Sequence, residues 1–291
     1  HTSWHSLRCL MCRLYGSLAT EPTRLECSLV EAQNALQVQS DRDRRGVRNA
    51  DGWGIAEWQT ATPLISRNTD PAFADRHFVE VASAVSSTAV IAHVRRATVG
   101  NVTMDNTHPF AHGPWAFAHN GTIPDFSHVA TRLDIGYYGP PFGGTDSELA
   151  FLWILNRMKE YGLSPDYPAE DLEAVVALMG DSVTELVRIS LEVGAVEPPK
   201  LNFLISDGLN LVATRWGNSL YWTFRRGIND CSVCGTSHCP DADASYKAVV
   251  VASEPITDED WTEIPEGVVF GADSDIRTTS RSLVAAQPAS P

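Results

Sequence analysis

The chain has 291 residues, with 22 Lys+Arg against 36 Asp+Glu and a formal net charge of −14 at pH 7, which excludes the basic face that binding a phosphate backbone requires. With 43% hydrophobic and 20% charged residues, and 20 Gly and 17 Pro dispersed along it, the composition is that of an ordinary globular protein and excludes a disordered or fibrous one. No stretch approaches the roughly 18 apolar residues of a membrane-spanning helix and the first ten residues lack the apolar core of a secretory signal, so the chain reads as soluble and cytoplasmic, with neither nucleic acid nor membrane as partner.

The length suits two small domains or one large mixed domain. Its first Met is Met11, directly before Cys12, so residues 1–11 read as a leader or upstream extension. From Cys12, CRLYGSLA has strand character. Leu25, Leu29, Ala32 and Leu36 then recur at helical spacing and predict a helix from about Arg24 to Gln39. DRDRRGVRNADG is a loop by composition, and GWGIAEW and PLISR read as a strand pair. Phe73, His77, Val81 and Val85 predict a second helix after Asp70-Pro71, with the Asp as cap. TAVIAHVRRA and WAFAHNG read as buried strands, and DIGYYGPPFGG as a surface loop. Thr145-Asp146-Ser147-Glu148 has the pattern of a capping box ahead of the apolar helix LAFLWILNRM, and residues 168–193 continue in helical style.

After Pro198-Pro199 come short β-like runs: LNFLISDG, LNLVATR, SLYWTF, YKAVVVAS and GVVF. Strands, helices and strands again, without regular βαβ alternation or a phosphate-binding GxGxxG, predict a layered α+β fold with antiparallel sheets. One domain over 12–275 and a flexible tail over 276–291 complete the division of the chain.

A cysteine near the start of a strand is usually a small core residue. Removal of Met11, however, would give Cys12 both a thiol and a free α-amine, whose pKa of roughly 7.7 to 8.0 lets it take the thiol proton near neutral pH. Arg95 and Arg96 end a buried strand, where a guanidinium either sits in a structural ion pair or offers its fork to a carboxylate. Asn120-Gly121 is either a hairpin turn or a side-chain amide beside an approachable backbone N–H, as an oxyanion site needs. Asp146 is a favourable anion in the first turn of a helix, or a partner for a substrate ammonium.

In order, C-R-L-Y-G, D-G-W-G, H-V-R-R-A-T-V-G, N-T-H-P-F, H-N-G, G-T-D-S-E and the late A-S-E-P at Ala252–Pro255 resemble the class II glutamine amidotransferases, which are N-terminal-nucleophile hydrolases. The likeness is greatest to a stand-alone subgroup that includes γ-glutamyl hydrolases of ergothioneine biosynthesis and amidotransferase subunits of glutathione degradation. The resemblance implies a four-layer αββα sandwich and a cysteine-dependent hydrolysis of glutamine or a γ-glutamyl compound through a γ-glutamyl thioester, with no cofactor required for catalysis.

By the same resemblance Cys12 is the nucleophile and its α-amine the base. Asn120 and Gly121 hold the oxyanion, Arg95 binds the substrate α-carboxylate and Asp146 its α-ammonium. Thr98 and His108 line or brace the pocket, and Arg48 with Asp51 belong to a loop supporting the nucleophile. Arg96 stands where relatives often carry Trp, and the resemblance gives it no role. The partners implied are a small γ-glutamyl substrate and, if ammonia is transferred, an acceptor site on another chain. The alternatives are a γ-glutamyl transferase and a non-catalytic or partner-dependent subunit.

A second cluster, C-S-V-C-G-T-S-H-C, holds Cys231, Cys234, His238 and Cys239. Four soft ligands suit a structural zinc, while free thiols on an insertion or a local disulfide are the alternatives.

Overall fold

Leu14 and Leu18 of strand β1 (Arg13–Arg24) enter one buried cluster and Tyr15, between them, enters another, because successive side chains of a strand face opposite ways. The structure, a computed structural model, describes residues 12–136, 140–227 and 245–283. Among these, seven strands form one sheet in the order β11 (Thr262–Glu263), β9 (Tyr221–Arg226), β10 (Lys247–Ala252), β1, β4 (Ser86–Val94), β2 (Trp53–Glu57) and β3 (Leu64–Asn68). A six-stranded sheet has the order β13 (Thr278–Ser282), β12 (Val268–Asp273), β8 (Asn210–Arg215), β7 (Lys200–Ser206), β6 (Trp115–Thr122) and β5 (Phe110–His112). Neighbouring strands are antiparallel in both.

Three cores separate four layers. Leu14, Leu18, Ile91, Val249 and Val251 of the first sheet meet Ala116, Ala118, Leu204, Leu211 and Phe270 of the second. On the outer face of the first sheet, Tyr15, Trp53, Ile55, Val90 and Val250 pack under Leu36 of α1 (Leu36–Asp41) and Phe78 and Ala82 of α2 (Arg76–Ala84). Phe117, Phe203, Ile205 and Val212 of the second sheet pack under α4 (Asp146–Arg157) and α5 (Leu172–Glu192), beside the short α3 (Phe126–Ala130). This is the αββα sandwich expected, each sheet buried on both faces.

Three local expectations differ. The helix expected over Arg24–Gln39 is two short pieces, a π-type turn at Cys27–Glu31 and α1, because β1 runs on through an irregularity between Leu18 and Thr23 to pair Arg24 with Ser86. Ala32 and Ala35 are extended, at ψ 154° and 160°. Leu25, Leu29, Ala32 and Leu36 nevertheless share one core, so their spacing marked a buried face rather than one helix. The second helix is capped by Asp75 and not Asp70: its carboxylate accepts from the His77 amide at 2.9 Å, Trp53 Nε1 at 2.7 Å and Asn68 Nδ2 at 2.9 Å. Finally, the segment expected to begin a flexible tail buries Ile276 and adds β13 to the edge of β12. The expected cap of α4 is present, Thr145 Oγ1 accepting from the Glu148 amide at 3.1 Å.

Candidate functional site

The start of β1, the end of β4, the end of β6 and the N-terminus of α4 converge on one cleft. Cys12 immediately precedes β1, where Arg13 pairs with Val94. Its Sγ accepts from the Arg96 amide at 3.2 Å and lies 3.3 Å from the Arg96 carbonyl, to which the thiol donates. The 95–97 segment is braced from the side: the Arg95 amide donates to Gly52 O at 2.7 Å, the Asp51 amide to Arg95 O at 3.0 Å, and the Ala97 amide to Asp51 Oδ2 at 2.8 Å. Gly52 has φ +114°, and a Cβ there would lie 2.8 Å from Asn68 O, so this bend requires glycine. The Asp51 side chain thus holds the backbone segment that touches the Cys12 sulfur. Arg48 contributes only its carbonyl, which accepts from Arg96 Nη1 at 3.0 Å; its own guanidinium turns out to Asp41 at 3.0 Å and over the Phe73 ring.

A buried ionic cluster behind Cys12 was not among the residues singled out in the sequence. Arg13 Nη1 donates to the Cys12 carbonyl at 2.9 Å, while Nη2 donates to Glu254 Oε1 at 2.9 Å and to Asp43 Oδ2. Next to Glu254, Ser253 Oγ accepts from the Leu14 amide at 2.9 Å and from Asn120 Nδ2 at 3.3 Å. The available signals were Arg13 adjoining Cys12 and the A-S-E-P run. Asp43 had none beyond its place in a charged loop.

The opposite wall comes from β6 and α4. Cys12, Arg95, Arg96, Thr98, His108, His119, Gly121, Thr145, Asp146 and Ser147 line a cleft with about 270 Å³ of empty space, open to solvent. Asn120 adjoins the cleft-lining Gly121, fully buried, with its backbone carbonyl accepting from Asn218 Nδ2 at 3.0 Å. Asn120 and Gly121 lie in β6, paired with Asn202 and Leu201 of β7, so they do not form a hairpin turn. The need for glycine at 121 is a packing one. A Cβ there would lie 1.8 Å from Lys200 O and 2.5 Å from His119 Nε2. Asp146, buried in the first turn of α4, accepts from the Ile123 amide at 2.8 Å and the Ser147 amide at 2.9 Å. Thr98 Oγ1 is 3.1 Å from Thr122 Oγ1. His119 Nε2–H donates to Lys200 O at 2.8 Å, so its Nδ1 accepts from Ser147 Oγ at 2.9 Å.

Electrostatics separate the charged groups from the neutral ones. Burial pushes the Cys12 thiol above its usual pKa, opposed by the Arg96 amide and the charges of Arg95 and Arg13. The thiol therefore needs a base to become a nucleophile. Burial also pulls Arg95 down, against Cys12, Asp51 and Asp146, which hold it up; it remains a cation. His108 packs against His93 with the rings tilted by 39° and their centroids 4.4 Å apart. Burial, then Arg95 and His119, bring His93 to about 3, and burial together with neighbouring cationic groups lowers His108 well below its ordinary value. Both rings are neutral, His108 on the cleft wall and His93 behind it.

The sequence-predicted residues Cys12, Arg95, Thr98, His108, Gly121 and Asp146 thus share one cleft, with Asn120 and Asp51 directly behind it and only the Arg48 side chain turned away. Among the described residues, no cluster of three or more His, Cys, Asp or Glu could hold a metal, and no helix is long and apolar enough to cross a membrane. The cluster Cys231, Cys234, His238 and Cys239 lies outside the described residues, as do residues 1–11.

Residues 11–290 match the family model described as glutamine amidotransferases class-II. The chain is 28% identical to the probable glutamine amidotransferase DUG3 of Saccharomyces cerevisiae, over 89% of this chain and 81% of that protein. It is 31% identical to the gamma-glutamyl-hercynylcysteine sulfoxide hydrolase of Mycobacterium tuberculosis, over 88% and 90%. Among solved structures, a predicted glutamine amidotransferase from Pseudomonas aeruginosa aligns with a TM-score of 0.61 at 27% identity, covering 91% of this chain and 98% of that one. The glutamine phosphoribosylpyrophosphate amidotransferase of B. subtilis, at 17% identity and a TM-score of 0.56 over 93% of this chain and 49% of that one, shares the fold.

Proposed function

The chain belongs to the class II glutamine amidotransferases, and on that premise we propose that it hydrolyses the γ-amide of glutamine or of a γ-glutamyl compound, with Cys12 as nucleophile. The observation that carries this reading is the placing of the Cys12 thiol in one cleft with Arg95 and Asp146. Opposite charges flanking a nucleophile suit the α-carboxylate and α-ammonium of a glutamyl group.

In the proposed mechanism the α-amine of Cys12, freed from any preceding residue, takes the thiol proton, and the thiolate attacks the γ-carbonyl. The raised thiol pKa supports a base so close at hand. The oxyanion meets the Asn120 amide, which has one hydrogen beyond that given to Ser253, and the Gly121 N–H. As the tetrahedral intermediate collapses, the C–N bond breaks and the leaving amine or ammonia takes the proton from the Cys12 α-ammonium. Water, deprotonated by the same amine, then cleaves the thioester to glutamate and restores the thiol. Thr98 and His108 shape the pocket, and Asp51 holds the 95–97 segment against the sulfur.

Glutamate release from glutamine and from γ-glutamyl dipeptides tests the reading. Release that Cys12→Ala abolishes is expected; release persisting in Cys12→Ala, or none from any of these substrates, overturns it.

A further inference from the structure

Two residues lining the cleft, His119 and Ser147, have no part in the proposed reaction. His119 precedes Asn120-Gly121 in β6, and because side chains alternate along a strand its ring lies on the Gly121 side. The missing side chain makes room for it, since a Cβ on Gly121 would lie 2.5 Å from His119 Nε2. The ring packs edge-on against Phe203, its register partner in β7, with centroids 4.9 Å apart. Its nitrogens reach Lys200 O at 2.8 Å and Ser147 Oγ at 2.9 Å, so one imidazole ties β6, β7 and the first turn of α4.

Counting hydrogens fixes what this contact does. A carbonyl only accepts, so Nε2 carries the ring hydrogen. Burial pulls His119 below its ordinary pKa, against the charge of Asp146 and the Lys200 carbonyl, and Nδ1 is bare. Ser147 has a single hydroxyl hydrogen, and Nδ1 at 2.9 Å takes it. Ser147 Oγ also lies 3.3 Å from Asp146 Oδ1; with its hydrogen committed to the ring, it has none to give there. Two acceptor oxygens therefore stand side by side on the cleft wall. Asp146 is 3% exposed, and its other partners are the Ile123 amide at 2.8 Å and the Ser147 amide at 2.9 Å, neither of them a cation. A buried carboxylate beside a second bare acceptor calls for a positively charged group with more than one N–H.

We infer that Ser147 is a further substrate-binding residue: its hydroxyl oxygen and Asp146 Oδ1 together accept two hydrogens of the substrate α-ammonium, and His119 is the positioning residue that keeps the hydroxyl turned to accept. The inference rests on the proposed γ-glutamyl hydrolysis and adds a second contact to the α-ammonium. It narrows the substrate class to γ-glutamyl compounds with a free α-amine. An N-acylated glutamyl group keeps one N–H and no charge, and a glutaryl group has neither.

The test follows release of ammonia from glutamine and of glycine from γ-glutamylglycine. It uses the full chain and the chain starting at Met11 in parallel, reading whichever form turns over either substrate. Glutamate and glutarate serve as competitive inhibitors that differ only in the α-ammonium, and glutamate is expected to bind the unaltered enzyme more tightly. Ser147→Ala is expected to raise the substrate KM and the glutamate Ki about tenfold, as loss of one hydrogen bond to a charged group does, with kcat and the glutarate Ki little changed. Ser147→Thr, which keeps the hydroxyl, retains the preference for glutamate. His119→Phe is expected to weaken glutamate likewise, because the Ser147 hydrogen then turns to Asp146, and to have no further effect in the Ser147→Ala background; a merely structural histidine would show the same loss in both. Should His119→Phe not fold, Ser147→Ala alone decides. A glutamate Ki unmoved by Ser147→Ala, or a glutarate Ki raised as much, overturns the inference while hydrolysis continues. No turnover of either substrate by the unaltered protein overturns the proposed reaction and this inference with it.

Discussion

Arg13 and Glu254, 241 residues apart in the chain, meet at 2.9 Å in the interior, and the same guanidinium holds the carbonyl of Cys12 at 2.9 Å. A side chain from late in the sequence therefore anchors the guanidinium that holds the backbone of Cys12. Asp43, from the loop after α1, closes the cluster.

Removing the cation leaves two carboxylates buried without their charge partner, whereas neutralising one carboxylate leaves Arg13 with the other. Arg13→Met is expected to cost about 3 to 5 kcal/mol and Glu254→Gln about 1 to 2 kcal/mol, as read by chemical denaturation. Equal costs would show that the three groups do not act as a cluster.

A peptide bond at the nitrogen of Cys12 removes the proposed base, and eleven residues precede Cys12 in the sequence. The chain initiated at Met11, with that Met removed, is expected to release glutamate, and the 291-residue chain with its Met11–Cys12 bond intact is not. Mass spectrometry of each protein establishes the N-terminus. Equal activity with the longer N-terminus intact would sink the amine as base.

Gly121→Ala is expected to destabilise the fold by about 3 kcal/mol or prevent folding, because its Cβ would overlap the Lys200 carbonyl at 1.8 Å and backbone cannot step aside as a flexible side chain can. Thermal unfolding against Gly144→Ala, where a Cβ meets nothing within 4 Å, isolates the clash. A stable, folded Gly121→Ala would contradict the close β6–β7 approach.

Neutral burial of His93 makes stability depend on acid. Its folded pKa, about 3, lies below the ordinary 6.5, so below pH 6.5 the unfolded chain binds a proton that the folded one refuses. Stability is full above that pH and falls by about 1.4 kcal/mol per pH unit toward the folded value, with His108 acting in the same direction. Urea midpoints between pH 7 and 5 should drop steeply in the unaltered protein and less in His93→Phe. Identical slopes would remove His93 from this role.

Much of the architecture was legible because it is local. The strand runs from RLYGSLA to GVVF alternate or persist in β-branched and aromatic residues, and the Thr145 cap sits where α4 begins. The break between Cys27–Glu31 and α1 was not legible, since Leu25, Leu29, Ala32 and Leu36 recur as a helix face would while the pairing of Arg24 with Ser86 prolongs β1. Pairing between distant segments leaves no mark on local periodicity.

The same division holds for the site. The sequence by itself determined which chemical groups are present and in what order, from Cys12 through Arg95, Asn120 and Gly121 to Asp146, because side-chain chemistry needs no fold to be read. Tertiary structure alone decided that Asn120-Gly121 is a strand end and not a turn, that Glu254 meets the Arg13 guanidinium that holds the Cys12 carbonyl, and that the Arg96 backbone lies against the Cys12 sulfur. Each of these depends on which distant strand lies alongside, and that is settled by burying two sheets against each other rather than by any residue's neighbours in the chain.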